Sequence, residues 1–268
     1  MISRRGTFFV LLVLSSILKF SHGDCTQTSS TFYITPTSSS NPDCPQNLQC
    51  VTLDYLATYV LPNIVGSSCL ELMFLKGTHN LGTQMQIFNV QQVSMHSSKQ
   101  PLIHLSSSSI RITNVSKLEI TNIVIDGGGQ FSLIIQREWS GSWSISLNNI
   151  IMVDVALQVL GGVNGGVCPQ VEIHSSVFNG SRIEMQSCLA ESETKAVTSI
   201  TNSDFYCKNQ PYTIIMCSCV SENTSLSLNV TLVEVNFFNS YEILLPFQKL
   251  NSLCTNADFR PTGPAPTA

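Results

Sequence analysis

Leu118-Glu-Ile-Thr-Asn-Ile-Val-Ile125 is followed, 27 residues on, by Ile145-Ser-Leu-Asn-Asn-Ile-Ile-Met152. Both fit one template: apolar-x-apolar-x-x-apolar-x-apolar. Period-two alternation marks a strand with one buried face, and the two-residue gap interrupts it once before it restarts. The unit therefore reads as a short strand, a sharp bend and a second short strand, both turning their apolar side chains inward. Working outward, the template fits Phe88, Val90, Val93, Met95 on one side. On the other it fits Val171, Ile173, Ser176, Phe178, then Thr198, Ile200, Ser203, Phe205, then Val230, Leu232, Val235, Phe237. The starts are 30, 27, 26, 27 and 32 residues apart. Self-similarity at such a period points to a solenoid. A β-sandwich, with strands spaced by roughly 8–12 residues, does not require one bend to return at this interval.

The bends are polar: Gln91-Gln92, Thr121-Asn122, Asn148-Asn149, His174-Ser175, Thr201-Asn202, and Val233-Glu234 with one polar member. In stacked coils the second bend residue lies ~4.8 Å from its counterpart, close enough for side-chain amides to bond as a ladder. The expected ladder joins Asn122 to Asn149, with Gln92 one coil below and Asn202 above. Phe178, Phe205 and Phe237 should stack inside. A third strand per coil is expected at Leu102–Leu105, Phe131–Ile135 and Ala156–Leu160. The glycine runs at 127–129 and 161–166 read as turns, since neither a following helix nor a P-loop Lys accompanies them.

The ends differ from the middle. Leu53, Leu56 and Val60 recur with helical spacing, Thr52 is an N-cap candidate and Pro62 a stop, which predicts a short helix over Leu53–Leu61. A stack exposes an apolar cross-section and open strand edges at each end, so this helix is assigned as the N-terminal cap. Leu70, Leu72 and Phe74 alternate as the first strand of the stack, and Lys76-Gly77-Thr78 turns the chain. Residues 255–268, rich in Pro, read as a flexible tail.

Arg4 and Arg5, the apolar run Phe8–Leu18, and the small residues Ser21 and Gly23 read as a signal peptide over 1–23. The run is too short for a membrane anchor, which needs ~20 residues. That places the chain in an oxidising compartment, where an even number of cysteines, here ten, reads as disulfides. Cys25, Cys44, Cys50, Cys69, Cys168, Cys188, Cys207, Cys217, Cys219 and Cys254 leave 70–167 bare, so bridges should cluster near the ends. A zinc site at Cys207, Cys217, Cys219 and His174 lacks the paired CxxC knuckles of structural zinc. Sequons at Asn114, Asn179, Asn223 and Asn229 agree with the secretory route and mark candidate glycosylation sites.

With 13 basic against 17 acidic residues and a net charge of −4, the chain cannot build the basic face of a nucleic-acid binder. Loss of Arg4, Arg5 and Lys19 makes it more acidic still, against an anionic membrane surface. Charged residues are 11% and hydrophobic ones 43%, the reverse of a disordered chain. No cofactor is implied.

Phe32-Tyr-Ile-Thr-Pro-Thr, Cys44-Pro, Cys50-Val-Thr-Leu and Leu70-Glu-Leu-Met-Phe-Leu-Lys-Gly-Thr-His-Asn-Leu81 resemble the opening of a group of secreted invertebrate proteins. Those proteins resemble right-handed parallel β-helices of the pectin-lyase-like kind, and the resemblance covers roughly residues 32–250. It implies an asparagine ladder, an N-terminal cap and an extracellular or cell-surface interaction role. The expectation is thus an all-β chain: a disulfide-containing segment with the cap helix (24–69), then a right-handed parallel β-helix of about six or seven coils (70–254).

The fold hosts several functions and establishes none. A glycoside hydrolase needs two carboxylates across the scissile bond; the best acids, Asp126 and Asp154, sit one and two residues past their templates and are out of phase. Turn residues are the expected reading for both. A lyase would want calcium-binding acids beside a base, and only isolated Arg111, Arg137 and Arg182 are at hand. His79, His96, His104 and His174 are scattered. Trp139 and Trp143, around Gly141, are the aromatic pair to weigh as a sugar platform, against packing over a loop. The expected role is non-catalytic recognition of glycans or proteins, or a structural one. The alternatives are a carbohydrate-active enzyme with an unfamiliar site and a fragment of a larger surface receptor.

Overall fold

The computed structural model describes residues 29–37, 44–45, 50–64, 68–138, 142–160, 169–186, 196–206, 215–218, 228–233, 236–238 and 258–261. They form a parallel β-solenoid with three sheets. Sheet I has ten strands in the order Cys50–Val51, Ser29–Ile34, Cys69–Phe74, Gln92–His96, Lys117–Thr121, Ser144–Asn148, Gln170–His174, Ala196–Thr201, Leu228–Val233 and Asp258–Pro261. Sheet II stacks Thr78–Leu81, Leu102–Leu105, Val124–Asp126, Ile151–Val153, Val177–Asn179, Asp204–Tyr206 and Asn236–Phe238. Sheet III stacks Met85–Phe88, Ile110–Thr113, Ser132–Gln136, Ala156–Leu160, Arg182–Gln186 and Ile215–Ser218. Five successive turns, from Cys69 to Gln186, present a strand on all three sides, and further strands continue the stack.

Alternation explains the core. Leu118 and Ile120 lie over Val93 and Met95 and under Ile145 and Leu147, in register, and all six are buried. Sheet II contributes Ile103, Ile125, Met152, Phe178 and Phe205 as one inward column. The rings of Phe178 and Phe205 stack with centroids 4.6 Å apart, and Phe237 continues the register. Where the template weakens, hydroxyls replace methyls without leaving backbone groups unpaired. Ser176 and Ser203 are buried; Ser176 Oγ accepts from Ile150 N–H (3.3 Å) and Ser203 Oγ from Ser176 N–H (3.1 Å).

Many of the corners turn through a residue with positive φ, a region that L-residues other than Asn and Asp avoid. Between sheets I and II these include Gly77, Gln100, Asn122, Asn149, Ser175 and Asn202; between II and III, Gly128, Gly129, Asp154 and Gly180; between III and I, Asn89 and Asn114. Asn149 Nδ2 donates to Asn122 Oδ1 at 2.9 Å, the expected rung. Below it, however, Asn122 Nδ2 donates to the carbonyl of Ser97 at 2.7 Å, because His96 is in register with Thr121. Gln92 is therefore not a rung: it pairs with Lys117 at the start of a strand. Asn202 lies above Ser175, so the amide ladder is broken there.

The same shift corrects the first repeat. Val93 and Met95 belong to the first strand of their coil, and Phe88 lies in register with Thr113 on sheet III, 42% exposed. Leu102–Leu105 accordingly belongs to sheet II, and Ile110–Thr113 is the third strand of that coil.

The cap follows the expected start but not the expected helix. Thr52 Oγ1 accepts from Tyr55 N–H (3.2 Å), then the chain runs as one α-turn (Leu53–Tyr55), a π segment (Leu56–Val60) and a 3₁₀ turn (Leu61–Asn63) that contains Pro62. Asp54 Oδ1 docks it onto the first coil, accepting from Gly82 N–H (2.8 Å) and from Thr83 N–H (3.2 Å) and Oγ1–H (3.1 Å). Gly77, at φ 134, is needed there, since a Cβ would meet Pro36 Cγ at 2.5 Å. Cys44 and Cys50 form a disulfide, and Cys69 is in one as well. Cys25, Cys168, Cys188, Cys207, Cys219 and Cys254 lie outside the described residues, and Cys217 lies in the strand Ile215–Ser218. At the other end Asp258–Pro261 pairs with Leu228–Val233, so part of the expected tail is strand. Among the described residues no helix is long and apolar enough to cross a membrane.

Candidate functional site

The residues between the apolar positions of sheet I face outward, and their columns are ordered. In register run Glu71, Ser94, Glu119, Ser146, Glu172 and Ser199, a strict alternation over six strands. The neighbouring column is Met73, His96, Thr121, Asn148, His174 and Thr201. With strands ~4.8 Å apart, successive glutamates are spaced by about 10 Å and never face each other directly.

Several of these groups are held in place. His96 Nε2 donates to Glu71 Oε1 (2.9 Å), and Thr31 Oγ1 to Glu71 Oε2 (2.8 Å). Burial acts to raise the Glu71 pKa, but the hydrogen bonds from Thr31 and His96, with the charge of His96, hold it below the usual carboxylate value. Lys117 Nζ pairs with Glu119 Oε1 at 2.8 Å. His174 Nδ1 bonds to Thr201 Oγ1. Ser94 lies two residues before His96 on the same face, and the His96 ring is engaged by Glu71.

Asp126 and Asp154 sit at different places in the coil, a strand and a corner. Asp126 lies in register with Val153, receives Gly128 N–H (3.0 Å) and pairs with His104 Nδ1 (3.3 Å) on sheet II. Asp154 is a corner residue whose N–H donates to the Asn179 carbonyl. The sugar-platform reading of Trp143 is corrected: the side chain is 4% exposed and belongs to the core. Buried Arg137 donates from Nη1 to the Val115 and Ser142 carbonyls (3.2 and 3.1 Å). Trp139 lies outside the described residues. Among the described residues, no three His, Cys, Asp or Glu side chains cluster to hold a metal.

Of the sequon asparagines, Asn114 sits at a corner, where its Nδ2 reaches Asn89 Oδ1 (3.4 Å) and its Oδ1 accepts Glu138 N–H (2.9 Å). Asn179 ends a sheet II strand, Asn229 lies in a sheet I strand, and Asn223 is outside the described residues. The Asn89–Asn114 rung and the Glu/Ser column both escaped the sequence reading. The signals were present: Asn-Val recurs at 89–90 and 114–115, and every template has a polar residue between its first two apolar positions. No protein-family model matches this sequence, and neither the curated proteins nor the solved structures contain a match to it.

Proposed function

We propose that this chain is a secreted, non-catalytic recognition module of the right-handed, pectin-lyase-like kind. It engages an extended glycan or protein segment along the outer face of sheet I. The observation that carries this reading is the alternating Glu/Ser column. Its repeat of about 10 Å offers one acidic contact at every second strand, so that weak contacts add along an extended polymer. The leader-like N-terminus, the Cys44–Cys50 disulfide and the sequons support an extracellular setting.

The test is a glycan and peptide array probed with the full chain and with Glu119→Gln/Glu172→Gln, alongside a lyase absorbance assay on polysaccharides. Retention that weakens in the double variant, without product release, is the expected result. Unsaturated product, or retention indifferent to both glutamates, would overturn the reading.

A further inference from the structure

We propose that the N-terminal cap is an acid-sensitive closure, released when His79 takes up a proton. His79 occupies the first place in the inward column of sheet II, ahead of Ile103, Ile125, Met152, Phe178 and Phe205. Every other member of that column is apolar, and His79 is 1% exposed. Its Nε2 lies 2.8 Å from the Leu75 carbonyl oxygen, which can only accept, so the ring proton is on Nε2. Phe74 meets the ring edge-on, with centroids 5.4 Å apart. Nδ1 is then a bare lone pair, buried and without a hydrogen-bond partner. A second proton would have to enter at that nitrogen, away from water, where a charged ring is strongly disfavoured.

Among the described residues no charged group offsets this, although the Thr35 backbone, like that of Leu75, favours the charged ring. Asp54 of the cap is engaged by Gly82 and Thr83, and Tyr55 is exposed. On the neighbouring strands Glu71 and His104 face outward, towards His96 and Asp126 respectively. Tyr33 occupies a half-buried position on the preceding strand, and Lys76 is exposed. Burial lowers the His79 pKa from 6.5, opposed only by backbone contacts from Leu75 and Thr35. Because the folded value lies below the unfolded one, this stabilisation is complete above pH 6.5 and is lost as pH falls from there towards the folded value. Over that window opening becomes about tenfold easier per pH unit.

The elements that can part without uncoiling the stack are terminal: the strand Ser29–Ile34 and the cap over 50–64. Their release bares the edge of Cys69–Phe74, a row of unpaired backbone groups able to take a strand from another chain.

Hydrogen exchange of the full chain at about pH 7.5 and about pH 5.0, on either side of the histidine range, corrected for intrinsic rates, tests this. Protection over 29–37 and 50–64 should fall in the wild type, by up to about tenfold per pH unit below the unfolded value, and hold in His79→Phe. His104→Gln, on the outer face, should respond as the wild type does. Unchanged wild-type protection, or an equal fall in His79→Phe, would overturn the proposal. Should His79→Phe not fold, the ring titration of wild-type His79 by NMR decides. A midpoint below 6.5 supports the closure, and one at or above it refutes it.

Discussion

Replacing Asn122 by Ala tests the corner at its most informative position. The side chain donates to the Ser97 carbonyl at 2.7 Å and accepts from Asn149 at 2.9 Å, tying three successive coils together. Each bond contributes about 1 kcal/mol net, so the pair accounts for about 2 kcal/mol. The backbone adds to this, because φ is 58° and an alanine there costs about 1 kcal/mol more than an asparagine, which tolerates the left-handed region. Asn122→Ala should therefore destabilise by about 3 kcal/mol, read as a lowered urea midpoint by far-UV circular dichroism with an unchanged slope. Asn122→Gly loses the same bonds but not the backbone preference. It should be milder than Ala by about 0.5–1 kcal/mol, because relief of strain exceeds the added freedom of the unfolded chain. A double-mutant cycle with Asn149→Ala should return a coupling of about 1 kcal/mol. An Ala variant within about 0.5 kcal/mol of wild type, or zero coupling, would refute the ladder as a source of stability.

Phe178→Ala removes a fully buried ring stacked on Phe205; a loss of about 3–5 kcal/mol is expected in the same urea assay. Ser176→Ala orphans the buried Ile150 N–H, while the His174 carbonyl keeps its bond from Asn149 N–H; it should cost about 1–3 kcal/mol although it makes the core more apolar. Asp54→Ala deletes all three contacts between the cap and the Gly82–Thr83 corner. Its effect, about 2 kcal/mol, should appear as faster hydrogen exchange over 50–64 while the sheet I strands beyond Gln92 stay protected.

The repeats that carried the fold were the ones with regular corners. Leu118–Ile125 and Ile145–Met152 align without a gap, and there the period, the inward columns and the Asn122–Asn149 rung were all legible. The copy at Phe88 was misplaced for a physical reason. The corner from Ser97 to Pro101 is longer than its successors, and Gln91-Gln92 imitates the polar bend that it displaces. Ser176 and Ser203 looked like failures of the template because a sequence does not show that a hydroxyl can meet a backbone N–H of the neighbouring coil. For Trp143 the sequence left platform and packing both open, because a nearby glycine signals a turn but not which way the indole faces; the ring is buried. The outward Glu/Ser column is periodic in the sequence, yet only the register shows that the glutamates alternate with serines on one flat face.

Everything above rests on parallel coils in which like positions meet, and nuclear Overhauser contacts across sheet I test that directly. Backbone amide-to-Hα contacts should link Leu118 to Ile145 and Ile145 to Val171 in same-direction order, following the registers 117–144–170 through 121–148–174. Close Hα–Hα pairs running in opposite order along these segments would mean antiparallel strands, and would contradict the account.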